Sequence, residues 1–112
     1  MIAMTSKSEI FVCRKPVDFR FGFDRLAHLC KSLASSDPFS GSFFVFFNRS
    51  FTRAKVIFYD GKCSCMLWKR IEKGRFKSPS GSGEGFASLS RPELVLLLSG
   101  APGQAGWQPT DI

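Results

Sequence analysis

The dipeptide Asp60-Gly61, set between two segments rich in strand-forming residues, constrains the fold more than any other feature of this chain. A tight two-residue turn needs positive φ at both central positions, which Asp-Gly tolerates, so residues 53–59 and 63–71 are predicted to pair as an antiparallel hairpin. Side chains alternate along a strand, and the hairpin therefore has two distinct faces. With a two-residue loop, Phe58 faces Cys63, Val56 faces Cys65 and Ala54 faces Leu67, an apolar set. The other face carries Arg53 beside Trp68, Lys55 beside Met66 and Tyr59 beside Lys62, with Arg70 beyond. A four-residue loop over 60–63 changes the partners and keeps every side chain on its face. A three-residue loop would turn Trp68 inward with Phe58. The even loops are preferred because they leave no polar side chain inside.

The rest of the chain supplies the elements this hairpin packs against. Residues 10–13 read as a short strand ended by Pro16. Phe23, Leu26, Ala27, Cys30 and Leu33 then fall at helical spacing, with Arg25, His28, Lys31 and Ser32 facing away, which predicts a helix over 21–34 stopped by Ser35-Ser36-Asp37-Pro38. Residues 43–47, Phe-Phe-Val-Phe-Phe, are too short for a helix and read as a buried strand. Residues 78–85 read as a flexible Ser/Gly/Pro loop. Ser90 and Glu93 form a capping-box pattern ahead of a leucine-rich helix that Gly100 would close. These elements predict one α+β domain over residues 10–100, with a small antiparallel sheet of about four strands and two helices packed on it. Flexible ends are expected at 1–9 and 101–112.

Charge is concentrated in the hairpin and its flanking residues. Between Arg49 and Lys77 lie nine basic residues (Arg49, Arg53, Lys55, Lys62, Lys69, Arg70, Lys73, Arg75, Lys77) and two acidic ones, Asp60 and Glu72, which accounts for the whole formal charge of +7. The remaining seven basic and seven acidic residues balance. Such a segment attracts polyanions, nucleic acid above all, with Tyr59 and Trp68 as stacking surfaces among the cations. The bland alternative is a solvated basic hairpin that protects a sheet edge from aggregation, with Trp68 covered by a helix.

Little else points to chemistry. Of the nine acidic residues, Asp60 belongs to a turn, Glu93 to a cap and Asp37 to a helix exit, and Asp18, Asp24 and Glu72 have no nuclease-like spacing. The single histidine, His28, lies on the polar side of the predicted helix. Cys63 and Cys65 read as strand residues rather than half of a zinc site, and with Cys13 and Cys30 they are expected to be thiols. No phosphate-binding glycine loop occurs, and no apolar run reaches the 18 or so residues of a membrane span. The expectation is a non-enzymatic cytoplasmic protein with no cofactor, no metal and no membrane partner.

A set of ordered motifs resembles a known family. Asp18-Phe19-Arg20, Gly22-Phe23-Asp24, Asp37-Pro38-Phe39-Ser40-Gly41, Asn48-Arg49, residues 55–61 and residues 68–76 are similar to the accessory protein encoded by the second reading frame of insertion sequences of the sixty-six type, often labelled TnpB. The resemblance spans about residues 17–100. It implies a supporting role in transposition beside a separate transposase. The expected partners are DNA, met through the basic face, and the transposase of the same element. A docking module using Trp68 and Phe76 as anchors is the alternative to direct DNA contact.

Overall fold

The computed structural model describes residues 9–33, 37, 39–77 and 85–99. Its strands are β1 (Ile10–Cys13), β2 (Phe43–Phe47), β3 (Arg53–Tyr59), β4 (Ser64–Arg70) and β5 (Phe86–Leu89), with helices α1 (Phe23–Leu33) and α2 (Arg91–Ser99). They form one sheet in the order β4-β3-β2-β1-β5.

The α+β class stands, with two differences from the sequence expectation. The sheet is mixed, because β1 and β2 pair in parallel while the other three contacts are antiparallel. Parallel neighbours need a crossover, and α1 supplies it. There are also five strands. β5 adds to the free edge of β1 in the register Ile10 to Leu89 and Cys13 to Phe86.

Alternation divides the apolar residues into two layers. On one face Leu26, Ala27 and Cys30 of α1 pack with Cys13, Phe44, Phe46 and Ile57. On the other, Leu94 of α2 and Phe76 pack with Ile10, Val12, Phe43, Val45, Phe47, Ala54, Val56 and Phe58. Both layers meet at β2, whose five residues are all buried. Burying a phenylalanine side chain stabilises by about 1.5–3 kcal/mol, so Phe44, Phe46 and Phe47 make β2 the centre of the fold.

Helix α2 begins as its capping box requires. Ser90 donates its N–H to Glu93 Oε1 (2.8 Å), and Ser90 Oγ accepts from the Glu93 N–H (3.3 Å). These bonds hold the Glu93 carboxyl below its usual range. The expected stop at Ser35, Ser36 and Pro38, the loop at 78–84, the cap at Gly100 and the flexible ends at 1–8 and 101–112 lie outside the described residues.

The hairpin turn spans four residues rather than two, since Tyr59 pairs with Ser64 and the Asp60 N–H donates to the Cys63 carbonyl (3.1 Å). Asp60 enlarges the loop with its side chain: Oδ1 accepts from the N–H groups of Lys62 (3.0 Å) and Cys63 (2.7 Å). Only Gly61 takes positive φ there, at 101°. The faces are those expected for an even loop, with Lys55 opposite Trp68 and Val56 opposite Leu67.

Candidate nucleic-acid interface

The fold sorts the basic segment into three places. Lys55 goes to the interior. It is 7% exposed, and its Nζ donates to the carbonyls of Phe19 (2.7 Å) and Phe21 (2.9 Å) while lying 4.7 Å from the centre of the Phe19 ring. Burial lowers its pKa against the opposing pull of Asp18. This lysine ties the loop before α1 to the sheet and has little surface to offer a polyanion.

Lys62 and Tyr59 go to the 60–63 end of the hairpin. Lys62 is exposed next to Asp60, and Tyr59 packs edge-on against Phe39 at 5.1 Å. Tyr59 therefore stands four rungs from Trp68 and does not share a stacking surface with it.

The remaining cations gather at the opposite end, around the β2–β3 turn. Ile71 donates its N–H to Thr52 (2.9 Å) and Phe76 to Phe51 (2.7 Å), so the chain leaving β4 folds back along residues 48–53. Phe76 is 3% exposed and packs with its ring tilted against Phe47 at 5.5 Å, anchoring this return segment in the core. That position removes it as an interface anchor. Its flanking residues Lys73, Arg75 and Lys77 stay exposed beside Arg49, Arg53 and Arg70. Arg70 pairs with Glu72 (3.0 Å), an exposed contact of small energetic value. Among the described residues, no carboxylate lies within ion-pair distance of Arg49, Arg53, Lys73, Arg75 or Lys77.

The turn that holds these residues is built by Asn48. Its Oδ1 accepts from the N–H groups of Thr52 and Arg53 (both 2.9 Å), and its Nδ2 donates to Ser50 Oγ (3.2 Å) and Thr52 Oγ1 (3.1 Å). Phe51 sits in the left-handed region at φ 56°, a costly conformation for an aromatic residue, kept by packing against Phe47. An open groove runs from this turn, at Asn48, Arg49 and Ser50, to Pro16, Val17, Asp18 and Phe19. At its far wall the Asp18 carboxyl is held at about 2 by the Arg20 side chain and backbone N–H.

Trp68 is 49% exposed, so no helix among the described residues covers it, and the Arg53 guanidinium lies 5.7 Å from its ring centre. Lys69 falls on the opposite face of β4, half-buried, with its pKa lowered by burial. Sequence reading missed Asn48 as the organiser of the turn and misassigned Phe76. The polar alternation Asn48-x-Ser50-x-Thr52 is the available signal for the first.

Other potential sites are structural. Asp37 accepts from the Phe39 N–H (2.9 Å) in a turn, and His28 is exposed on α1. Cys13 and Cys30 are buried free thiols, the latter with its pKa pushed up to about 12 chiefly by burial. No group of three or more His, Cys, Asp or Glu side chains placed to hold a metal occurs among the described residues. No helix among them is long and apolar enough to cross a membrane.

Comparison with known proteins places these features in a family context. A family model described as IS66 Orf2 like protein matches residues 8–106. The chain is 35% identical over 115 residues to the uncharacterized protein y4hO of Sinorhizobium fredii (strain NBRC 101917 / NGR234), covering 100% of this chain and 99% of the relative. It is 34% identical over 100 residues to the uncharacterized protein y4jC of the same organism, covering 89% and 85%. No solved structure matches.

Proposed function

The chain belongs to the IS66 Orf2-like family of insertion-sequence accessory proteins, and we propose that it serves transposition by contacting DNA phosphates through the basic end of its sheet. One observation carries this reading: five exposed cations, Arg49, Arg53, Lys73, Arg75 and Lys77, with no acidic partner among the described residues, are held around one turn. A rigid turn keeps the ordering cost of binding low, and clustered cations gain by displacing condensed counterions from DNA. Lys55 is excluded from this contact surface by its burial, and Lys62 and Tyr59 by their place at the other end.

The catalytic step of transposition falls to a separate transposase in this reading. The acidic side chains with assigned contacts serve turns, a cap and local ion pairs, which fits an accessory role.

The test is binding to a short duplex at low and at physiological salt, combined with purification alongside the transposase of the same element with and without nuclease. The proposal expects duplex binding that weakens steeply with salt, and a transposase association that nuclease treatment removes. Salt-independent binding, or a nuclease-resistant complex without DNA affinity, would assign the basic end to protein docking instead.

A further inference from the structure

Strand β4 is an outer strand of the sheet, and among the described residues nothing pairs with its free edge. Its ladder to β3 is unbroken over seven rungs, from Arg53–Arg70 to Tyr59–Ser64. Natural edges are blunted by proline, bulges, short length or charge, and β4 has none of the first three. Its middle is apolar and open: Met66 is 37% exposed, Leu67 40% and Trp68 49%.

The phase of the ladder shows which backbone groups face out. Residues 52 and 71 form a hydrogen-bonded rung, through the Ile71 N–H to the Thr52 carbonyl, and so do 60 and 63. Alternate rungs of an antiparallel pair share this character, so Cys65, Leu67 and Lys69 bond to β3. Ser64, Met66, Trp68 and Arg70 therefore direct their N–H and C=O groups away from the sheet.

We propose that two copies of the chain join β4 to β4 in antiparallel fashion about a two-fold axis at Leu67, extending one continuous sheet across both. The strand's own pattern selects a second copy as the occupant. Centred on Leu67, the midpoint of Ser64–Arg70, all seven residues pair and the outward groups of both strands meet in phase. Met66 then faces Trp68 of the other copy, a favourable sulfur–aromatic contact, and Leu67 faces its counterpart. Lys69 faces Cys65 and Arg70 faces Ser64, so each cation meets a neutral side chain. Centring the pairing on Lys69 would put two lysines together and shorten the ladder. Such an isologous contact closes on itself and leaves no further β4 edge for aggregation. The two basic ends would lie at opposite ends of the paired strands, roughly 20 Å apart at about 3.3 Å per residue.

Sedimentation of the full chain without DNA tests this. The wild type is expected to pass from 12.5 kDa to twice that mass as its concentration rises from low micromolar toward millimolar. Met66→Pro removes an outward N–H that β3 does not use, and Leu67→Lys places two charges on the axis. Both variants are expected to keep a native circular dichroism spectrum and to remain monomeric across the range. In addition, Leu67→Cys is expected to form a disulfide between residues 67 of two copies under mild oxidation, identified by peptide mapping. A monomeric wild type overturns the proposal, as does a dimer that persists in a folded Leu67→Lys variant or shows no 67–67 link.

Discussion

The two ends of the β3–β4 hairpin have similar ingredients and different outcomes. At one end Asp60 commits its carboxylate to the backbone of its own turn, and Lys62 stands beside it with little charge in excess. At the other, Asn48 makes the turn with a neutral side chain, so the order is obtained without a negative charge, and apart from Arg70 the surrounding cations have no acidic partner among the described residues. A carboxylate at position 48 would supply the same acceptors and cancel part of the field. The choice of amide over carboxylate is thus a physical reason why one end keeps its positive charge and the other is close to neutral.

The largest perturbation of this contrast is Phe76→Ala. Phe76 joins the return segment to the core, and truncating a buried phenylalanine costs about 3–5 kcal/mol. Chemical denaturation is expected to show that loss, and Lys73 and Arg75 should become more accessible to limited trypsin digestion.

Next comes Lys55→Met, which leaves the carbonyls of Phe19 and Phe21 without their donor. Each unsatisfied buried acceptor costs about 1–3 kcal/mol, reduced wherever water can enter. The variant should melt several degrees lower while its DNA binding at a temperature where it is folded keeps the wild-type salt dependence. A flattened salt dependence would show that Lys55 belongs to the contact surface after all.

Asn48→Ala removes the acceptor for two backbone N–H groups and should cost about 1–2 kcal/mol, with DNA affinity falling as the turn loosens. Asn48→Asp separates the two effects: stability is expected near that of the wild type and DNA affinity below it.

The smallest effect is an acid one. The Asp18 carboxyl is depressed from 3.8 to about 2 by Arg20, so its contribution is present above about pH 4 and is lost as pH falls toward 2. Asp18→Asn should flatten that part of the acid unfolding curve. The change will be slight, because the Arg20 side chain is 90% exposed and the pair is screened by water.

Much of the frame was legible because local pattern and tertiary role agree. The buried run 43–47, the β3 strand, the α1 stripe and the Ser90–Glu93 cap each appear where periodicity and capping chemistry place them. β5 was not legible, since residues 86–89 pair only because β1 has a free edge, a fact about the fold rather than about those four residues. The parallel β1–β2 contact was hidden for the same reason. Lys55 alternates correctly onto the polar face, yet alternation cannot tell that the 19–21 loop will arrive over it with two carbonyls. The charge concentration was visible as a number. Its division into an interior lysine, a neutralised turn and one basic end required knowing that residues 71–76 return along residues 51–52.

The most direct test of the basic end compares two variants in one salt titration of duplex binding. Replacing Arg49, Arg53 and Arg75 by alanine should lower the slope of log affinity against log salt by about one for each phosphate that is no longer neutralised, while Lys62→Ala should leave it at the wild-type value. Equal slopes for the triple variant and the wild type, or an equal drop in slope from Lys62→Ala, would contradict the assignment of DNA binding to that end.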